Sequence, residues 1–362
     1  MKILFLNSSV PNYLIDGLLH GLRSVPEIEV VDVPRMNFMY RDATGEDLQK
    51  TGSRGNTLYK MLPEDDNIRG KRTYWLSDIE KYDYILFTDI FEQCDLFHYI
   101  YKSLGPAKRS GLCIIDGYDS ASMFPYFHNS FNLKVRPWSY FYNFRKVHFF
   151  KREHASTAEL YGITKSKFPV LNRIASKILK IPVKHYGISM SIPEEHLEYI
   201  PFSQKDQEFV NYNIDKDLNE LFKNLDVAEV GKWKPRYEKQ EDYFDDIRRS
   251  RFGITTKREG WDCLRHYEYA AKGAILCFKE LDQKNPLCAP YGLDQSNCIP
   301  YQNKEDLLKS ISSLNLSQLK EIQGNQYKWI QKYTTRNVAL RFLDRLESVN
   351  QSTFLEHIEA VV

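Results

Sequence analysis

Apolar residues are distributed along the chain in two periods that alternate. Lys2–Asn7 (KILFLN) is an unbroken apolar run, as a parallel strand covered on both faces requires. It is followed by Asn12–Ser24, where Leu14, Ile15, Leu18, Leu19 and Leu22 recur at helical spacing. Glu29–Val33, Tyr84–Asp89 and Leu112–Asp116 read as further strands, with a helix near Phe91–Ser103 and an aromatic strand at VHFF, residues 147–150. Residues 40–72 break the alternation with polar, charged and glycine-bearing sequence, and read as a long loop or insertion.

The second half repeats the scheme. Strands are predicted at Glu208–Asn213, Asp226–Val230, Phe252–Thr256 and Ala274–Phe278. Helices are predicted at Asp217–Asn224, Glu241–Ser250, Asp262–Lys272 and Lys304–Leu314, with a helical pattern from Leu316 to about Leu355. Strand–helix alternation on this scale predicts α/β architecture: two Rossmann-like, doubly wound parallel-sheet domains facing a cleft, with C-terminal helices. The expected division is 1–195, 204–335 and a last helical segment 336–362 that crosses back to the first domain. Pro193 and Pro201 lie in the connector.

Composition narrows the function classes. A formal net charge of +2 gives no general attraction to nucleic acid or to an anionic surface. No apolar run approaches the ~20 residues of a membrane span, and Lys2–Leu6 is already a strand, so the expected location is cytoplasmic, with peripheral contact to the inner membrane face left open. Cys94, Cys113, Cys263, Cys277, Cys288 and Cys298 form no C-x-x-C pair and read as reduced thiols. Their spacing does not suit zinc, and no Asp-x-Asp pair follows a strand; Asp245–Asp246 falls mid-helix. No metal and no cofactor are expected.

The densest chemistry lies in Thr255–Gly273. Asp262 is a fitting N-cap and Gly273 a fitting left-handed terminator for a short helix. Lys257, Arg258 and Glu259 gather at the helix N-terminus, where unpaired backbone N–H groups and the helix dipole favour a phosphate. Gly260 lets the backbone come close to a ligand. Within the helix, Arg265 and Glu268 share a face, and Lys272 follows Glu268 by four. The same spacing also reads as an ordinary solvent-facing ladder of ion pairs.

The run YFDDIRRSRFGITTKREGWDCLRHYEYAAKGAILCF (243–278), with Leu281–Pro286 and Asn297–Tyr301, resembles the donor-binding half of bacterial group-1-type glycosyltransferases of the GT-B fold. It is most similar to branches with an R-x-x-E-x-x-A-x-G core, also seen in exostosin-like enzymes; here that core is Arg265, Glu268, Ala271 and Gly273. The resemblance implies that Glu268 binds the ribose of a nucleotide-sugar donor, UDP- or GDP-linked. It also implies that basic residues near Arg258 and Arg265 hold the diphosphate. Many retaining members separate two glutamates by seven residues, whereas eight separate Glu259 from Glu268. Glu259 is therefore carried only as a donor-binding candidate, and the stereochemical outcome stays open.

In such an enzyme the N-terminal domain takes the acceptor and any general base. Asp116 and Asp119 end or follow a strand, and Asp16 and His20 lie on the first helix, so all four are catalytic candidates. The plainer readings are a turn at Asp116–Gly117 and a half-buried helix residue at His20. Lys151 and Arg152 are candidates for an anionic acceptor or the donor phosphates. Aromatic and basic residues interleave over Pro125–Lys151, which suits packing, a sugar or lipid-linked acceptor, or nucleic acid, in falling order. The leading expectation is a metal-independent transfer to a glycan, lipid-linked or protein acceptor. The alternatives are a phage-type DNA-base glycosyltransferase, a nucleotide-sugar epimerase and a non-catalytic nucleotide-binding module.

Overall fold

The computed structural model describes residues 1–51, 56–124, 147–160, 170, 185–221, 237 and 239–359. Six strands form the first sheet: β1 (Lys2–Leu6), β2 (Glu29–Val33), β3 (Tyr84–Phe87), β4 (Leu112–Asp116), β5 (His148–Lys151) and β6 (His185–Gly187). All pairings are parallel, in the order β2-β1-β3-β4-β5-β6. The second sheet holds β7 (Gln207–Phe209), β8 (Ser250–Thr255), β9 (Ile275–Lys279) and β10 (Ile299–Tyr301), also parallel, in the order β10-β9-β8-β7.

The apolar run of β1 has its physical cause in this layering. Ile3 and Phe5 enter one core with Leu14, Leu18 and Leu22 of the first helix, Tyr13–Arg23. Leu4 and Leu6 point the other way, into a core with Phe87, Phe97, Ile114 and Phe149. The first core continues into the second sheet's helices through Tyr267, Ala270, Ala271 and Trp329, so one apolar body joins the two halves. A third core, around Ile254, Ile275, Cys277 and Tyr301, fills the far face of the second sheet.

The segment 40–72 is more ordered than a loop. It carries a capped helix at Gly45–Lys50 and the start of another at Asp66–Tyr74. It is tied to β2 by Arg72, which donates to Asp32 Oδ1 at 2.8 Å and to the Tyr40 hydroxyl at 2.7 Å. The helical pattern after Leu316 is also interrupted: helices run Leu316–Gln331 and Thr335–Glu359. At the break, Ile192 exchanges backbone hydrogen bonds with Tyr333 and Thr335. The second of these helices then packs on Tyr13–Arg23 through Val338, Ala339, Phe342 and Leu346.

Further differences are local. Gln207–Phe209 is shorter than the predicted Glu208–Asn213, and Lys216–Leu221 is a 3-10 helix. The short strands β6 and β10 carry too few apolar residues to stand out in the sequence. The strand predicted at Asp226–Val230 and residues 125–146 of the aromatic stretch lie outside the described residues. Lys205 is buried, and its ammonium donates to the carbonyls of Ile247, Arg248 and Lys272. It thereby caps the C-terminal ends of two helices, Gln240–Arg249 and Leu264–Ala271, with one charge. No helix among the described residues is long and apolar enough to cross a membrane.

Candidate functional site

The loop after β8 and the helix Leu264–Ala271 lie where the carboxyl ends of both sheets meet. The helix begins one residue later than an N-cap at Asp262 suggests. Cys263 is the N-cap, without a side-chain cap bond, because the Asp262 carboxylate is engaged elsewhere. It accepts from Met190 N at 2.7 Å and from the Tyr267 hydroxyl at 2.7 Å. Burial raises its pKa to about 6. Asp262 is thus a tie between the connector and the motif helix. At the other end Gly273 has φ +72°, the left-handed geometry expected of a helix terminator.

Arg265 and Glu268 do not form a solvated ladder. They are 8% and 6% exposed. The Arg265 guanidinium donates to Thr255 Oγ1 at 3.3 and 3.2 Å, and among the described residues no carboxylate lies within 4 Å of it. The Thr255 hydroxyl in turn bonds His266 Nδ1 at 2.9 Å, and His266 Nε2 bonds the Trp261 carbonyl at 2.9 Å. That carbonyl needs a donor, so His266 carries its proton on Nε2 and accepts on Nδ1. Burial and the nearby Arg265 charge push its pKa down to about 3, which keeps the ring neutral.

Glu268 accepts from the Thr57 hydroxyl at 2.6 Å and the Tyr243 hydroxyl at 2.9 Å. Its pKa is raised by burial, against the lowering effect of those hydroxyls and of Arg265. Thr57 comes from the first-domain insertion, and His196 holds the Thr57 carbonyl at 2.7 Å. One carboxylate is therefore already bonded to two hydroxyl groups beside an unpaired arginine charge. Lys272 turns away to Glu198, at 3.1 Å.

The loop tip residues Lys257, Arg258 and Glu259 are exposed, with the Lys257 ammonium 5.2 Å from the centre of the Trp261 ring. Gly260 is buried against the first domain. A Cβ there would lie 2.5 Å from Glu153 Oε1 and 2.6 Å from Asp119 Oδ1, so any other residue would have to move those two carboxylates.

The first-domain candidates separate into two groups. Asp116 and Lys151 form an enclosed ion pair at 2.8 Å, with both side chains fully buried. Neither reaches the cleft as an acid, base or phosphate contact, because each neutralises the other inside the domain. Asp16 is buried on the first helix, and desolvation raises its pKa well above the usual carboxylate range. His20 is buried against Thr335, Nδ1 to Oγ1 at 2.8 Å, and burial lowers its pKa. Asp119 stands apart: its side chain is 40% exposed, it pairs with Arg152, and it lies beside Gly260. Arg152 also donates to the Asp262 carbonyl at 3.0 Å, so it grips the second domain's loop.

Sequence reasoning did not single out Thr57, Tyr243, His266 or Glu153. Tyr243 and His266 lie within the motif-bearing run, and a buried helix face would have drawn attention to them. Thr57 carried no signal, since its partner is more than two hundred positions away.

No protein-family model matches the chain, and no curated protein matches it. Solved structures do. HepE of Anabaena, determined in complex with UDP-glucose, superposes with a TM-score of 0.51 at 10% identity, over 96% of this chain and 100% of that one. The N-terminal domain of Candida albicans trehalose-6-phosphate phosphatase gives 0.47 at 12%, over 96% of each chain. A glycosyltransferase from Rickettsia africae gives 0.40 at 9%, over 96% of this chain and 98% of that one. The first of these superpositions spans both lobes and, with the six- and four-stranded parallel sheets described above, gives the chain the GT-B fold.

Proposed function

We propose that this chain is a glycosyltransferase. It moves a sugar from a nucleoside-diphosphate-sugar to a hydroxyl of a glycan, lipid-linked or protein acceptor, without a metal. The observation that carries the reading is a buried Arg265 charge, without an ion pair among the described residues, set one turn before Glu268 on the same helix. An arginine nine-tenths buried with no carboxylate within 4 Å among the described residues is costly in a folded protein unless an anionic ligand completes it. Glu268 bonds two hydroxyls, as a carboxylate gripping a ribose diol would.

In this reading the acceptor oxygen bonds the anomeric carbon and the bond from that carbon to the β-phosphate oxygen breaks. The nucleoside diphosphate leaves with an added negative charge. Arg265, Lys257 and Arg258 offset that charge, together with the dipole of Leu264–Ala271. Of the four proposed acids and bases, Asp119 is the one open to solvent, and it is assigned the acceptor's proton. A lipid-linked acceptor would bring peripheral contact with a membrane face.

The test is a thermal-shift screen with UDP, GDP, ADP, CMP and TDP and then their sugars, starting with UDP-glucose because the Anabaena neighbour was solved with it. Glu268→Gln should abolish the shift and the release of free nucleoside diphosphate while the protein stays folded. Conversion of donor without acceptor would indicate an epimerase, and binding without turnover a non-catalytic module. No shift with any nucleotide would overturn the reading.

A further inference from the structure

Beyond β5 the chain runs Arg152–Glu153 directly into the loop that follows β8. Glu153 Oε1 accepts from two successive backbone N–H groups, Trp261 at 3.0 Å and Asp262 at 3.2 Å. Its other oxygen accepts from the Cys288 thiol at 3.3 Å. Glu153 is itself buried, and Gly260 is packed so closely against it that a Cβ there would push the Glu153 carboxylate out of its place. Two converging backbone N–H groups ahead of a helix form the kind of seat that takes a phosphate oxygen.

A second observation points the same way. The Arg152 side chain is 8% exposed and its Nε has no hydrogen-bond partner among the described residues, although it lies 3.9 Å from the same Glu153 oxygen. Its remaining nitrogens are engaged by the Asp262 carbonyl and Asp119. A buried guanidinium N–H left unbonded next to an anion is a donor set that its present occupant does not complete. A tetrahedral phosphate presents more acceptor oxygens than the single carboxylate oxygen now seated there.

We infer that the N–H groups of Trp261 and Asp262 and Nε of Arg152 form an interdomain seat for a phosphate of a nucleoside diphosphate, and that Glu153 fills it as an intramolecular stand-in until the ligand displaces it. This rests on the donor reading above and adds to it. The seat is shared between the two domains, so ligand and Glu153 compete for the same groups. Displacing Glu153 frees its charge to turn outward and lets Arg152 close on the phosphate.

The experiment is calorimetric titration of the full chain with inorganic pyrophosphate and, separately, with UDP. Wild type is compared with Glu153→Gln, whose amide oxygen still accepts both N–H groups but carries no charge. Removing the charge should weaken the stand-in and tighten pyrophosphate binding about ten-fold, the difference between a charge-assisted and a neutral hydrogen bond. Glu153→Asp, which keeps the charge on a shorter arm, should tighten it less and covers the case in which Glu153→Gln fails to fold. Equal or weaker pyrophosphate binding in the variants, or no binding in any of them, overturns the stand-in. If Glu153→Gln tightens pyrophosphate while no protein binds UDP, the seat holds and the nucleotide-donor reading fails.

Discussion

Arg265→Met separates a ligand-binding arginine from a structural one. In the unliganded protein the guanidinium makes two long hydrogen bonds to one threonine oxygen and no ion pair with any described residue. Removing it breaks no salt bridge and leaves Thr255 bonded to His266. It also relieves the desolvation of a buried charge that no described carboxylate pairs within 4 Å, while methionine retains most of the aliphatic bulk. Stability should therefore stay within about 1 kcal/mol of wild type or rise, whereas loss of a buried ion-pair partner costs about 3–5 kcal/mol. Donor binding should fall by the worth of a charge-assisted contact, about 1.5–3 kcal/mol, or roughly ten- to a hundred-fold in Kd. Urea denaturation of the ligand-free protein and calorimetric titration with the nucleoside diphosphate measure the two quantities independently. An unchanged Kd would refute the reasoning, and so would a destabilisation of several kcal/mol in the absence of ligand.

Three further outcomes are expected. Asp116→Asn should destabilise by about 3–5 kcal/mol, because it strands the Lys151 ammonium inside the domain; Asp116→Asn with Lys151→Met should recover much of that in the same denaturation assay. His266 should make stability fall on acidification. Its folded pKa of about 3 lies below the unfolded value near 6.5, so its contribution is complete above pH 6.5. It is lost at up to about 1.4 kcal/mol per pH unit as pH drops toward 3, a slope that His266→Gln should lack when compared at pH 7 and pH 5. Transfer should survive EDTA, since Lys257, Arg258 and Arg265 supply the positive charge; abolition by EDTA with rescue by manganese would require a different mechanism.

Much of the architecture was readable because β1, β3 and β4 are covered on both faces, and such strands must be apolar throughout. The Arg265–Glu268 spacing was equally plain, but two environments share it. A ladder in water and a pair enclosed at a domain junction have the same period, and burial alone tells them apart. Asp116 shows the reverse limit. A carboxylate at a strand end suits a cleft acid, yet Lys151 one strand over turns it into an internal counter-ion, and that adjacency exists only once β4 and β5 pair. Asp262 looked like an N-cap for the same local reason, and lost that place to a backbone N–H from the connector. Contacts such as Thr57 with Glu268 leave no periodic trace in either partner.

The return of Thr335–Glu359 onto Tyr13–Arg23 constrains how the protein can be made. The first helix leaves the ribosome more than three hundred residues before Val338, Phe342 and Leu346, which shelter its greasy side. The leading lobe cannot mature lobe by lobe during synthesis. It must wait, with sticky surface uncovered, for a distant stretch of the same polypeptide. Expression of the first lobe by itself should consequently yield aggregates, and supplying the late helix in trans should improve its solubility.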